Sequence, residues 1–195
     1  METTKQTTKQ TTKQTSGEIT LITGPMFSGK SHTLILKIQR YEIAKKKCIV
    51  LKYIGDNRYD EARVVSHNNF SCPCIPVNND ALVAMIPELV GYDVIGIDEG
   101  QFFPSLVDVC QTLANAGKIV VVAGLLTTSG MKPFIPTRDL VVVSDDIIHN
   151  KAVCVSCYDD ASWSFRNDAS EETECIGVGD KYEARCRMCF NDGSK

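Results

Sequence analysis

Glu18-Ile-Thr-Leu-Ile-Thr23 runs directly into Gly24-Pro25-Met26-Phe27-Ser28-Gly29-Lys30-Ser31, and apolar residues then recur at Leu34, Ile35, Ile38 and Ile43. The β-branched run predicts a strand, the two glycines a tight loop, and the 3–4 spacing a helix. The eight-residue middle fits G-x-x-x-x-G-K-[ST] in the strand–loop–helix context that the pattern requires. Glycines let backbone N–H groups close on phosphate oxygens, and the following helix presents its positive end to the same anion. Lys30 supplies a point charge for β- and γ-phosphates, and Ser31 a hydroxyl for Mg²⁺. Gly24, Pro25, Met26, Phe27, Ser28, Gly29, Lys30 and Ser31 are therefore the expected nucleotide-binding residues.

Further apolar runs lie at Cys48-Ile-Val-Leu-Lys-Tyr53, Asp93-Val-Ile-Gly-Ile-Asp98, Lys118-Ile-Val-Val-Val-Ala123 and Asp139-Leu-Val-Val-Val143, with a helical pattern over 106–116. Strands apolar on both faces and separated by helices predict an α/β fold with a parallel sheet covered on both sides. Val94-Ile-Gly-Ile-Asp98-Glu99 ends in two carboxylates. In a P-loop protein such a strand is expected beside the strand that feeds the phosphate loop. Asp98 would then hold Mg²⁺, directly or through water, and Glu99 would face the group that attacks the γ-phosphate. A glutamate there could orient water in an ATPase or accept a hydroxyl proton in a kinase. A solvated turn is the bland alternative for the pair.

The whole chain limits the other classes. Its 195 residues are 43% hydrophobic, enough for one main core. The net charge of −3 and pI near 5.6 give no field to gather nucleic acid or an anionic membrane. No apolar run approaches the roughly 18 residues of a spanning helix, and the start lacks the apolar segment of a signal peptide. A cytoplasmic protein with a small-molecule substrate is expected. Residues 1–16 contain Thr-Thr-Lys-Gln starting at Thr3, Thr7 and Thr11, without an apolar face or an arginine, and read as a low-complexity tail rather than a presequence.

Nine cysteines in a reducing compartment point to metal rather than to a disulfide framework. Cys154-x-x-Cys157 and Cys186-x-x-Cys189 are separated by 28 residues, room for a β-ribbon and a loop. Four thiolates leave no open coordination position, so the Zn²⁺ they would bind is structural. Redox-active pairs are the alternative. Cys72-Pro-Cys74 reads as an incidental loop feature, and Cys48 and Cys110 as core residues. Residues 17–150 are thus expected to form a nucleotide-binding α/β domain and 151–195 a small zinc-ribbon module.

Gly24 to Ser31 as quoted, Asp56-Asn-Arg58-Tyr59, Ile97-Asp-Glu-Gly-Gln-Phe-Phe-Pro104, Ala114-Asn-Ala-Gly-Lys118, Lys132-Pro-Phe134, Asp180-Lys-Tyr182 and both cysteine pairs resemble, in order, the type II thymidine kinases of animals and large DNA viruses. The resemblance runs from about residue 17 to 190. It implies a RecA-like P-loop sheet and transfer of the γ-phosphate of ATP to the 5′-hydroxyl of thymidine, with deoxyuridine as a further substrate. It makes Glu99 the general base, Arg58 a contact of the transferred phosphate, and Lys30 a catalytic cation. Asp56 and Gln101 join the nucleotide-binding residues, and Ser31 and Asp98 the magnesium positions. It places the base among Met26, Phe102, Leu125, Ser129, Phe134 and Tyr182, under a lid loop anchored by the zinc module that includes Thr173, Glu174, Cys175, Ile176 and Gly177. By analogy the enzyme is a homotetramer inhibited by the end-product triphosphate.

Three places depart from the family pattern. Leu125-Leu126-Thr127-Thr128-Ser129 stands where Leu-Asp-Gly-Thr-Phe is usual, Ser66-His67-Asn68 where Thr-His-Asp is usual, and Thr173 and Cys175 replace aliphatic residues. Phosphoryl transfer is the better supported expectation, and base specificity the weaker. Trp163 is expected to pack the zinc module and His67 to lie at the surface. A P-loop ATPase whose zinc ribbon binds nucleic acid is the alternative function, and a non-catalytic relative a third.

Overall fold

The computed structural model describes residues 16–55, 63–65, 71–167 and 181–193. Its centre is a six-stranded, wholly parallel sheet. The strands are β1 (Glu18–Thr23), β2 (Cys48–Tyr53), β5 (Ile75–Val77), β6 (Val94–Asp98), β7 (Ile119–Ala123) and β8 (Asp146–His149), in the order β5-β2-β6-β7-β1-β8. A small antiparallel pair, β3 (Arg63–Val65) with β4 (Ser71–Pro73), stands apart from it.

Alternation along the strands divides the core into two layers. Helix α1 (Lys30–Ile43) covers one face, where Leu34, Ile35 and Ile38 meet Ile22, Val50, Val94, Val121 and Ala123. Each of these three helix residues is fully buried, worth about 1.5–3 kcal/mol of transfer free energy apiece. Ile43, which shares the expected helical spacing, lies at the end of the last turn and is exposed. On the other face, α4 (Leu106–Asn115) buries Leu106, Val109, Cys110 and Leu113 at the i, i+3, i+4, i+7 spacing of a single stripe. The short helices α2 (Asn79–Ala84) and α3 (Ile86–Leu89) add Leu82 and Leu89 to that layer.

The segment 139–143, expected as a strand, lies instead within helix α5 (Ile135–Val143). Pro136 occupies the first turn, where its fixed φ suits a helix and its missing N–H costs nothing. Thr137 and Leu140 then turn inward three residues apart, and Val142 points to solvent at 84% exposure. A run of three valines does not carry enough period to separate strand from helix. The sixth strand is β8, an edge strand of half-polar sequence that sequence reading passed over.

Two further expectations need correction. The acidic strand β6 is not adjacent to β1, because β7 pairs with both and lies between them. Cys72 is not an incidental loop residue: it sits in β4, buried in the layer under α1. Cys110 is fully buried as expected, its thiol pushed up by loss of solvation, whereas Cys48 is only half-buried.

Beyond β8, two antiparallel pairs, β9 (Ala152–Val153) with β10 (Asp160–Ala161) and β11 (Trp163–Arg166) with β12 (Tyr182–Arg185), lead to α6 (Arg187–Asp192). Around the cysteines, among the described residues, the buried cluster, with Tyr182 buried besides, is Ala152, Cys154, Ala161 and Ala184. Such small residues provide little burial energy, a shortage that a bound metal commonly makes good. Trp163 packs edge-on against Phe190 at 6.4 Å, with the Arg187 guanidinium 4.5 Å from its ring centre, in accord with a packing role. Among the described residues no helix is long and apolar enough to cross a membrane.

Candidate active site

The phosphate loop bridges the end of β1 and the start of α1. Gly24 has φ +145°, and a Cβ there would come within 2.3 Å of the Asn150 carbonyl oxygen, so the first glycine is sterically required. Gly29 has φ +77°, yet a Cβ added to it would meet nothing within 4 Å. The second glycine therefore borders open space at the helix N-terminus, where an anion has room. Phe27 between them holds φ +63°, a strained value for an aromatic residue, with its ring half exposed. Lys30 Nζ donates to the Pro25 carbonyl at 2.8 Å, which folds the cation over the loop. The Ser28 and Thr23 hydroxyls are buried with no hydrogen-bond partner among the described residues. Buried hydroxyls in that condition fit a loop shaped around phosphate oxygens.

Ser31, in the first turn of α1, meets Asp98 at the end of β6 although β7 lies between β6 and β1. Ser31 Oγ donates to Asp98 Oδ1 at 3.1 Å. A hydroxyl and a carboxylate at a phosphate-loop helix start form the hard oxygen set that suits magnesium.

Glu99 follows at once, only 8% exposed and at φ +55°, ψ 42°. A glutamate rarely adopts this left-handed conformation, and here it begins the 3₁₀ turn Gly100–Phe102. Gln101 holds the carboxylate: its Nε2 donates to Glu99 Oε2 at 2.6 Å, while its Oε1 accepts from the Leu125 N–H at 3.0 Å. One buried amide thus joins the acidic strand end to the loop after β7. Within the protein, the described contacts of Gln101 run to Glu99 and Leu125.

Residues 124–134 form a tight excursion. Phe134 N–H donates to the Leu126 carbonyl, Thr128 N–H to the Lys132 carbonyl, and Thr137 Oγ1 to the Leu125 carbonyl at 2.5 Å. Leu126 packs against the core, and Ser129 lies in the turn at the tip. Phe134 and Phe102 meet edge-on at 6.2 Å, and Tyr53 stacks obliquely on Phe102 at 5.0 Å. Phe102 and Phe134 therefore share one wall, and the Leu125 backbone is tied to Gln101 and Thr137 beside them.

The cysteine-bearing segment reaches back to the phosphate loop. Ser164 of β11, only 5% exposed, accepts a hydrogen bond from the Met26 N–H at 2.9 Å. Tyr182, on the partner strand β12, is buried with Arg166 over its ring. Asn150 completes the link: its N–H donates to the Thr23 carbonyl, and its Nδ2 to Thr33 Oγ1 at 3.0 Å. Asp56, Arg58 and His67 lie outside the described residues, as do Thr173, Glu174, Cys175, Ile176 and Gly177.

Cys154, Cys157, Cys186 and Cys189 come together with their sulfurs all within 4.8 Å of one another. A tetrahedron of Zn–S bonds near 2.3 Å has edges of about 3.8 Å, and Cys157 and Cys186 are 3.7 Å apart. Cys186 Sγ also caps α6 by accepting from the Cys189 N–H. Burial opposes ionisation of Cys154, but backbone N–H groups of Cys186, Cys157 and Ser156 outweigh it and draw the thiol down to about 6. Hydrogen bonds to Cys186 and Cys157 push Cys189 up to about 12.

Ser164, Thr137 and Asn150 escaped sequence reading. None belongs to a short motif, and only the inward-facing polar position of Ser164 between Trp163 and Phe165 gives any hint.

Comparison with known proteins agrees with this geometry. The sequence profile of the family described as thymidine kinase matches residues 17–190. The chain is 45% identical over 174 residues to a thymidine kinase of myxoma virus (strain Lausanne), covering 89% of this chain and 96% of that protein. It is 44% identical over 178 residues to the variola virus thymidine kinase and 43% identical over 178 residues to that of vaccinia virus (strain Western Reserve), covering in each case 90% of this chain and 98% of the relative. Since the match spans the phosphate loop, the acidic strand end and both cysteine pairs, the chain belongs to the thymidine kinase family.

Proposed function

We propose that the enzyme moves the γ-phosphate of ATP to the 5′-hydroxyl of thymidine, with Glu99 as the base for that hydroxyl. The thymidine kinases among its relatives supply the substrate. The observation that carries the residue assignment is the run of contacts from Ser31 to Asp98 and, one residue on, from Glu99 through Gln101 to the Leu125 backbone. It ties a phosphate-shaped loop to an aromatic wall, with a buried carboxylate between them. The base rests against Phe102, Leu125 and Phe134, with Met26, Ser129 and Tyr182 around it and residues 173–177 as the lid.

Transfer then proceeds as follows. Glu99 accepts the proton of the 5′-hydroxyl while the 5′-oxygen forms its bond to the γ-phosphorus. The bond from that phosphorus to the β,γ-bridging oxygen breaks, and ADP leaves. Lys30 and Arg58 offset charge on the transferred group, the loop N–H groups of residues 24–31 hold the remaining phosphates, and Asp56 serves as a further nucleotide-binding residue. Magnesium, which Ser31 and Asp98 would hold, neutralises charge on the β- and γ-phosphate oxygens when bound. Zinc held by the four cysteines would fix the 151–195 module and the strand that carries Ser164 against the 17–150 domain. A homotetrameric, cytoplasmic enzyme inhibited by its end-product triphosphate completes the reading.

Glu99→Gln tests the assignment. Positioned proton transfer contributes typically about 10²–10⁴-fold. Turnover of thymidine to its monophosphate should fall by about that factor, with ATP affinity nearly unchanged. Near-normal turnover would remove Glu99 from the mechanism. In the parent protein, DNA-stimulated ADP release without nucleoside monophosphate would favour the ATPase instead.

A further inference from the structure

Three charged side chains are buried among the described residues: Lys52 at 2% exposure, Asp98 at 4% and Glu99 at 8%. All three gather at the carboxyl ends of two neighbouring strands. Lys52 of β2 is the direct register partner of Asp98 of β6. Two residues earlier Val50 is the partner of Gly96, and a Cβ on Gly96 would meet Val50 Cγ2 at 3.3 Å and Ile38 Cδ1 at 3.2 Å. That pair faces α1. Alternation by two puts Lys52 and Asp98 on the same face, towards the helix start where Ser31 holds Asp98 Oδ1.

We propose that Lys52 is a positioning residue for phosphoryl transfer, its buried ammonium fixing the Asp98 carboxylate in line with Ser31 and partly balancing the two adjacent acids. The assignment rests on the reading of Asp98 given above. An ammonium removed from water persists only beside anions, and across a parallel pair the directly opposite residue is the nearest side chain. Two carboxylates side by side also repel each other, and a cation at the same strand ends lets both stay charged and in place. Lys30 has its described hydrogen bond to the Pro25 carbonyl, on the phosphate-loop side of Ser31. The sequence hides Lys52 because a single lysine near the end of an apolar strand usually extends into solvent.

A double-mutant cycle tests the proposal in the full-length, zinc-loaded protein. Lys52→Met keeps the stem and removes the charge, Lys52→Arg keeps the charge, and Asp98→Asn neutralises the partner. Magnesium-free ATP affinity and zinc content report folding. Lys52→Met should lose about 10²-fold in kcat, the scale of a displaced catalytic group, while ATP affinity and the KM for thymidine stay within about threefold. Lys52→Arg should recover most of that loss. The double variant should be no slower than Asp98→Asn alone within about threefold, because residues acting as one unit are strongly non-additive. Losses that multiply would overturn the proposal, as would a Lys52→Met enzyme with parent kcat. Where Lys52→Met alone no longer binds ATP, the double variant should bind it again, since it leaves one fewer buried acid unpaired, and failure to do so also overturns the pairing. Near-parent turnover in Asp98→Asn overturns the magnesium reading, whereas a large loss there with none in Lys52→Met overturns the Lys52 assignment alone.

Discussion

Replacing Gln101 by methionine keeps the length of the side chain and most of its packing but removes both hydrogen bonds that join Glu99 to the base-side loop. The bond to Glu99, at 2.6 Å and to a carboxylate, is of the stronger kind, worth about 1.5–3 kcal/mol. The Leu125 N–H loses its acceptor, and an orphaned buried donor costs about 1–3 kcal/mol. The two together give about 2.5–6 kcal/mol, and relaxation of the loop should bring the observed value to the lower half of that range. For a protein of this size each kcal/mol moves the thermal midpoint by about 2–4 °C, so Gln101→Met should unfold roughly 10 °C below the parent. Glu99 would also lose the contact that fixes its rotamer, and misplacement of a catalytic group by about 1 Å costs on the order of 10²-fold. The phosphate loop has no described contact with Gln101, so ATP affinity should not change. Gln101→Glu separates the two effects. It keeps an acceptor for Leu125 but sets a carboxylate against that of Glu99, where two like charges cannot both ionise freely. Its midpoint should fall less than that of Gln101→Met, and its kcat should fall at least as far. The assays are a calorimetric scan and steady-state thymidine phosphorylation on the same preparations. A Gln101→Met enzyme with kcat within twofold of the parent and a midpoint within about 2 °C would refute the reasoning.

Cys189→Ser should reduce zinc from near one ion per chain to a small fraction and unfold the C-terminal segment, read by metal analysis and limited proteolysis; a zinc-free, fully active protein sinks the structural assignment. Ser164→Ala removes the acceptor of the Met26 N–H and should cost about 1–2 kcal/mol of stability, with a several-fold rise in the KM for thymidine and unchanged ATP affinity; an unaltered KM would confine Ser164 to a packing role. Ser129→Phe should raise the ratio of kcat/KM for thymidine over deoxyuridine by up to about tenfold, because an apolar wall discriminates by about 1–3 kcal/mol per methylene-sized change. An unchanged ratio, or a parent enzyme that prefers deoxycytidine, would show that the turn at Ser129 does not border the base.

Where sequence reading of the fold succeeded, the reason was burial. β1, β2, β6 and β7 lie inside the sheet and are apolar on both faces, so their runs stand out without help from context. The edges gave no such signal. β8 is exposed along one side and carries Asp146 and His149, while the more apolar 139–143 turned out to be the end of a helix started at Pro136. An edge strand needs less apolar surface than a helix lying on the sheet, and a search for apolar runs therefore assigns the two in the wrong order. Strand order was misjudged for a related reason. A motif specifies what must meet, here Ser31 and Asp98, but not the number of strands between them. Asp98 meets α1 through the forward reach of the helix over β7, and so the contact survived an incorrect neighbour assignment.

The catalytic end follows the same logic at the level of side chains. Lys30, Ser31, Asp98 and Glu99 could be read from the chain because phosphate and metal chemistry demands fixed residue types at fixed spacing. Gln101, Thr137, Ser164 and Lys52 act, on the geometry above, by holding those groups or the backbone beside them, and many residue types and positions could do that. Such a residue becomes visible only when burial and partners are known, since most polar side chains that deeply buried are paired, and the partner discloses the task. For Gln101 the partners are the Glu99 carboxylate and a base-side N–H, and for Ser164 a phosphate-loop N–H. Both contacts bridge a phosphate-side element to one expected at the nucleoside. A change in either side chain should therefore alter how thymidine and ATP are held relative to each other before it alters the affinity for ATP alone, which is why kcat and the thymidine KM are the quantities to follow in those variants.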